Sequence, residues 1–383
     1  MNKMENHELS NRVKKVQNLL HDLGADACVI TSSVNQFYLT NSVFDGYFYI
    51  QAEEEPLMFV RRPAGLENVH YIRKPEQITD FIIRLPKVVL METGVMPYTT
   101  ALRLQKALGM PEIIDVSGKM REIRSVKSEF EMEQMRANAK IQSEVYKQIP
   151  SLYRDGITDI EFQIEVERVM RLNGSIGIFR AYGERMEIFM GSVLAGDNAD
   201  VASPYDFSMG GGGLSKILPI GASGVALKEG MTVMFDMAGN YTPYQSDMTR
   251  TFAIGKIPDI AYRAHQVSIE MSRWLEQNVK PGITCAEIYD YSLKTAVNNG
   301  LEANFMGNTQ QVKFVGHGLG LEINEPPVLT PRSKEVLQKN MAFAYEPKFV
   351  FPKIGAVGIE NTFIVTDSGL EKITICEENI IEL

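Results

Sequence analysis

The chain has 383 residues, and 39 Lys and Arg against 48 Asp and Glu give a net charge of −9 at neutral pH. That length suggests more than one domain, and 44% hydrophobic with 23% charged residues is a globular composition, which excludes a wholly disordered chain. The acidic balance argues against nucleic acid or an anionic membrane as partner, and no apolar run is long enough to span a bilayer.

Residues 1–15 are polar and lack the apolar segment of a signal peptide, so a cytoplasmic protein is expected. Residues 12–23 carry Val13, Val16, Leu19, Leu20 and Leu23 at helical spacing, and Gly24 stops that helix. Ala27–Ile30 reads as a short buried strand, with further strands expected at 37–39, 47–51, 56–60 and Val88–Met91. Helices between these strands make residues 1–125 an α/β domain, a sheet covered by helices. Residues 120–127 read as a charged connector, and Ser128 with Glu131 is a capping box that opens a helix to about residue 149. The domain boundary is placed near 125, leaving 126–383 as a second domain.

That second domain repeats itself. Gly156-Ile-Thr-Asp-Ile-Glu161 recurs as Gly282-Ile-Thr-Cys-Ala-Glu287, and each helix so opened ends at an Asn-Gly pair, Asn173-Gly174 and Asn299-Gly300. Met231 to Asp236 is echoed by Met341 to Glu346, and Asp247-x-Thr249 by Glu360-x-Thr362. Four matches in one order imply two pseudo-symmetric helix-and-sheet halves, an α+β domain with carboxylates at equivalent points.

Asp236 closes an apolar strand, and Asp247 follows 11 residues later across a turn-rich stretch. Two antiparallel strands could set the pair side by side. They read either as solvated turn acids or as like charges held by a cation. His317, one of only five histidines, is flanked by glycines in Gly316-His-Gly-Leu-Gly320, which leaves room for a metal or substrate. Glu346 and Glu360 sit in apolar strand sequences, where an unpaired carboxylate is costly. Four carboxylates and one imidazole suit hard or borderline divalent ions such as Mn²⁺, Co²⁺ or Fe²⁺, with Zn²⁺ also fitting. The three scattered cysteines form no zinc motif and read as core thiols.

The order Asp236, Asp247, His317, Glu346, Glu360, with Asp-x-Thr-Arg-Thr-Phe, Gly-His-Gly-Leu-Gly-Leu-Glu, Glu-Pro and Ile-Glu-Asn-Thr around it, resembles the pita-bread-fold metallopeptidases. That family includes Xaa-Pro aminopeptidases and dipeptidases, methionine aminopeptidases and the metal-free creatinases. The resemblance makes residues 1–125 a creatinase-type N-terminal domain and 126–383 the catalytic domain. It implies two divalent ions on the five ligands, with a bridging water as nucleophile and Glu346 also serving as general base. Thr249 and Thr362, each two residues past a ligand, would support the ligands by hydrogen bonds. The implied activity is hydrolysis of the N-terminal Xaa-Pro bond of short peptides by a homodimer. The alternative is a metal-dependent non-peptidase hydrolase or lyase of a small amine, amidine or sulfonium compound.

Three positions depart from the family pattern. Pro219 stands where one substrate-binding histidine is expected, Asn324 stands for a second, and Gly358 replaces an arginine two residues before the last glutamate. Asn324 can still donate a hydrogen bond to a substrate oxygen. An apparent insertion, 197–215, reads as a solvent loop in its glycines (Gly210 to Gly213) or as a lid, with Tyr205 and Phe207 as walls of the substrate pocket.

Overall fold

The apolar strands and capped helices assemble two compact units, residues 1–124 and 125–383, in a computed structural model that describes residues 3–183, 190–205 and 207–383. In the first unit, β1 (Ala27–Ile30), β2 (Asp45–Gln51), β3 (Leu57–Arg62), β4 (His70–Tyr71), β5 (Val88–Met91) and β6 (Glu112–Asp115) form one sheet in the order β4-β3-β2-β1-β5-β6. Strands β1, β5 and β6 run parallel and β2 is antiparallel to β1, so the sheet is mixed. Helices α1 (Lys3–Leu23) and α3 (Tyr98–Ala107) belong to the same unit, and the alternating residues Ala27, Val29, Tyr49, Phe59, Val89 and Met91 make one core with Leu104 and Leu108.

Residues 37–39, expected as a strand, lie instead in helix α2 (Ser33–Thr40). The reason is local chemistry that apolar content alone does not reveal. Ser32 caps the helix, and the fully buried Glu92 accepts hydrogen bonds from Thr31 N (2.6 Å), Ser32 N (2.9 Å), Ser32 Oγ (2.7 Å) and Asn35 Nδ2 (2.6 Å). A carboxylate at a helix N-terminus satisfies the unpaired amides and the helix dipole together. Residues 117–125, partly read as a connector, form helix α4 (Ser117–Ser125).

The second unit starts with α5 (Glu129–Tyr146), opened by the Ser128–Glu131 capping box as expected, and the short α6 (Ile149–Leu152). Its internal repeat is visible contact by contact. Helices α7 (Asp159–Leu172) and α9 (Cys285–Asn298) both begin with a formed Thr–Glu capping box, and each capping threonine makes an antiparallel bridge, Thr158 with Ala226 and Thr284 with Val336. Strands β7 (Gly191–Ala195), β8 (Thr232–Gly239), β9 (Ser246–Ala253) and the late β17 (Ile381–Glu382) form one sheet, ordered β17-β9-β8-β7. The other half contributes β10 (Gly316–Gly318), β11 (Glu325–Val328), β12 (Ala342–Tyr345), β15 (Asn361–Val365) and β16 (Leu370–Lys372), ordered β11-β10-β12-β15-β16. A hairpin of β13 (Lys348–Phe351) and β14 (Gly355–Gly358) lies between β12 and β15 in the chain. Helix α8 (Asp259–Asn278) packs on β13 and β14.

Candidate functional site

Strands β8 and β9 place their acids on one face. Asp236 lies opposite Thr249, and Asp247 lies opposite Ala238, so the two aspartates are diagonal neighbours rather than a directly facing pair. In the other half β12 pairs with β15 at Ala344–Thr362 and Tyr345–Asn361, and continuing that ladder brings Glu346 opposite Glu360. The strand register therefore matches Glu360 to Thr249 and Gly358 to Asp247, whereas the sequence echo matches Glu360 to Asp247. Arg250 ties the halves together, donating to the carbonyls of Thr249 (2.8 Å) and Glu360 (2.9 Å) and to Asn361 Oδ1 (2.9 Å).

His317 enters from β10, squeezed between two strands. A Cβ at Gly316 would come within 2.3 Å of Ala344 O, and one at Gly318 within 2.1 Å of Pro326 O. The flanking glycines thus serve close strand approach, not an open path to a ligand. His317 Nδ1 donates to the carbonyl of Gly318 (3.2 Å), which can only accept, and leaves Nε2 facing Glu346 Oε1 at 3.5 Å and Asp247 Oδ2 at 3.9 Å.

All five expected ligands converge. Asp247, His317 and Glu360 offer donor atoms within 4.8 Å of one another, and so do Asp236, Glu346 and Glu360. Thr249 Oγ1 donates to Glu360 Oε2 (2.7 Å). Thr362 acts one step further back, exchanging hydrogen bonds of 2.8 Å with the main-chain N and O of Asp247.

A sixth group was not anticipated. Lys348 Nζ lies 2.7 Å from Glu346 Oε2, 2.8 Å from Asp236 Oδ2, 3.3 Å from Glu360 Oε2 and 3.1 Å from Ser208 Oγ. It was not among the residues expected from the sequence; the available signal was its position between Glu346-Pro347 and the apolar run Phe349-Val-Phe351. Burial pushes the Lys348 ammonium toward neutrality, but the surrounding carboxylates outweigh this and hold it well above the usual lysine range. Burial raises Asp236, yet the charge and hydrogen bond of Lys348 prevail and keep that carboxyl below its usual value. Asp247 is driven up by burial and then by the charges of Asp236 and Glu346, and Glu360 by burial and then by Asp247. One ammonium does not balance four carboxylates.

The pocket above this floor is lined by Phe179, Phe207, Phe314 and Ile323 with Asn324. Asn324 Oδ1 accepts from Tyr182 N and its Nδ2 donates to Tyr182 O, both at 2.7 Å, so its amide is engaged in holding that main chain. Tyr205 is displaced from the expected wall: it stacks on Phe207 at 6.3 Å, and Phe207 is the ring that reaches the pocket. The neighbouring Asp206 lies outside the described residues. The glycine run is packed rather than solvent-exposed, with Gly221 N donating to Gly210 O (2.7 Å) and Gly212 N to Asn198 Oδ1 (2.8 Å).

A family model described as metallopeptidase family M24 matches residues 133–367, more than half of the chain. The chain belongs to that family. A second model, the creatinase/prolidase N-terminal domain, matches residues 12–126. Among M24 relatives, the chain is 27% identical to the "uncharacterized peptidase YqhT" of Bacillus subtilis, over 97% of this chain and 100% of the relative. It is 24% identical to an Xaa-Pro dipeptidase of Pyrococcus horikoshii, over 97% and 99%. Its fold matches an Xaa-Pro dipeptidase from Bacillus anthracis with a TM-score of 0.82 at 24% identity, covering 98% of this chain and 100% of that one. The prolidase of Pyrococcus horikoshii OT3 gives 0.78 at 22%, covering 96% and 99%. The expected architecture, a creatinase-type N-terminal domain and a pita-bread catalytic domain, is therefore the one observed.

The side chains also fit the divalent metal that M24 implies. Glu360 Oε1 is buried with no hydrogen-bond partner among the described residues, and burial with the neighbouring carboxylates drives Asp247 and Glu360 upward despite the one ammonium of Lys348, which a divalent cation would reverse. Asp247, His317, Glu346 and Glu360 are a suitable oxygen-and-nitrogen donor set.

Proposed function

We propose that this M24 protein is a metal-dependent exopeptidase that hydrolyses the N-terminal Xaa-Pro bond of short peptides. The observation that carries this reading is an acidic floor beneath apolar walls. The carboxylates attract a free α-ammonium, while Phe179, Phe207, Phe314 and Ile323 offer a surface for a pyrrolidine ring. Similarity to proteins named Xaa-Pro dipeptidase supports it.

A divalent ion on Asp247, His317, Glu346 and Glu360 would polarise the scissile carbonyl and acidify the attacking water. Glu346, held through Oε2 by Lys348, would accept the proton of the attacking water and return it to the leaving nitrogen. Thr249 fixes the orientation of Glu360. Mn²⁺, Co²⁺, Fe²⁺ and Zn²⁺ all suit the donor set. A cytoplasmic location is supported by three unpaired cysteines, and a homodimer by exposed Ile83 (84%), Leu85 (54%) and Tyr98 (75%) on the first unit.

Incubation of metal-supplemented protein with Xaa-Pro dipeptides and tripeptides tests the reading, and no turnover with any of the four ions would sink it. Asp247→Asn should lose bound ion and activity together. Glu346→Gln should lower kcat by about 10²–10⁴-fold. The committed amide of Asn324 favours the second reading, hydrolysis or lysis of a small amine, amidine or sulfonium compound. Turnover of such compounds without any Xaa-Pro cleavage would select it.

A further inference from the structure

Lys348 has no part in an arrangement of two metal ions. Its ammonium sits among the oxygens of Asp236, Glu346 and Glu360, one of the two groups of potential ligands that the fold brings together. We propose that Lys348 is a built-in cation that fills the Asp236 side of the cluster, so that the centre takes a single divalent ion, held by Asp247, His317, Glu346 and Glu360.

The geometry excludes sharing. A metal ion binds carboxylate oxygens at about 2.0–2.2 Å, so an ion within the Asp236 group would compete for the space and the lone pairs that Nζ uses at 2.7–2.8 Å. Nor is the lysine a surface chain folded inward. It is wholly buried, on a strand whose residues are all buried, and Ser208 Oγ is a further acceptor. Its stem needs the space left by Gly358, its register partner: a Cβ there would come within 2.9 Å of Lys348 Cα and 3.2 Å of Lys348 Cγ. The glycine at position 358, where the family pattern has an arginine, and the buried lysine are thus parts of one packing solution.

The opposite side stays available. Glu346 gives Oε2 to Lys348 and turns Oε1 toward His317 Nε2. Glu360 gives Oε2 to Lys348 and Thr249, while Oε1 is buried without a hydrogen-bond partner among the described residues. Each glutamate is divided between a fixed cation and an exchangeable one.

This inference rests on reading the cluster as a metal centre, and the stoichiometry of binding separates the two. Chelator-stripped protein is titrated with Mn²⁺ by calorimetry, and bound metal is counted by elemental analysis. One ion per chain is expected for the wild type and for Lys348→Arg. Lys348→Ala, checked for folding by circular dichroism, should bind two. Asp236→Asn should keep its one ion with affinity altered less than about tenfold, and Asp247→Asn should lose more than about 100-fold. Two ions on the wild type, or one on a folded Lys348→Ala, overturns the proposal and leaves the peptidase reading standing. No bound ion on the wild type overturns both. Should Lys348→Ala fail to fold, the wild-type count and Asp236→Asn decide.

Discussion

At the scale of single residues, the candidate site was largely legible because its chemistry is costly. A carboxylate in an apolar strand must be paired, and four such residues with one histidine could be read directly from the sequence. Lys348 was not legible, because a lysine in a strand usually reaches solvent along its stem; only the register with Gly358 reveals that it turns inward. A further buried titratable group is His265. It bonds through Nε2 to the carbonyl of Glu378 (2.7 Å), and burial depresses its pKa from 6.5 to about 4. The unfolded chain then binds a proton between about pH 6.5 and about pH 4 while the folded chain does not, so stability is lost as pH falls through that window. The full window is worth roughly 3 kcal/mol. Denaturant unfolding of wild type and His265→Gln across this range should show a stability difference that narrows by that order toward low pH. A pH-independent difference would show that His265 does not titrate this way.

At the scale of elements, capping boxes and the hydrophobic period located α1, α5, α7 and α9, and register decided what they could not. The segment 37–39 was missed because its helix is fixed by Glu92, far away in sequence. The loop that carries Asn324 depends on another distant pairing. Lys127 Nζ meets Glu325 Oε2 at 2.9 Å with both side chains 1% exposed, and Glu325 Oε1 accepts from Glu322 N. A hydrogen bond lost from a buried charged group costs about 1.5–3 kcal/mol, so Lys127→Met should destabilise the protein by that order. The double variant Lys127→Met, Glu325→Met should recover much of it. Chemical denaturation of the two proteins checks this, and equal losses in both would deny the coupling.

At the scale of the whole molecule, the cluster is assembled from both halves of the repeat. Asp236 and Asp247 come from β8 and β9, His317 and the two glutamates from or beside β10, β12 and β15. An ion bound there links strands that pair only within their own halves. Hydrogen exchange should therefore slow in β8, β9, β12 and β15 when Mn²⁺ is added, by about 2.7 kcal/mol at 100-fold excess over Kd. The sheet of residues 1–124 should be unaffected; protection spread evenly over both units would contradict a local clamp.

The register match between the halves carries a consequence for inheritance. Ala238 faces Asp247 in one half, and in the other its counterpart Lys348 faces Gly358. One repeat holds an acid where its twin holds nothing, and the twin holds a base where the first holds a methyl group. A doubled fold offers each position twice, and each copy can mutate alone. A lysine in one copy alone gives the protein a counter-ion that is encoded in the chain and immune to metal starvation.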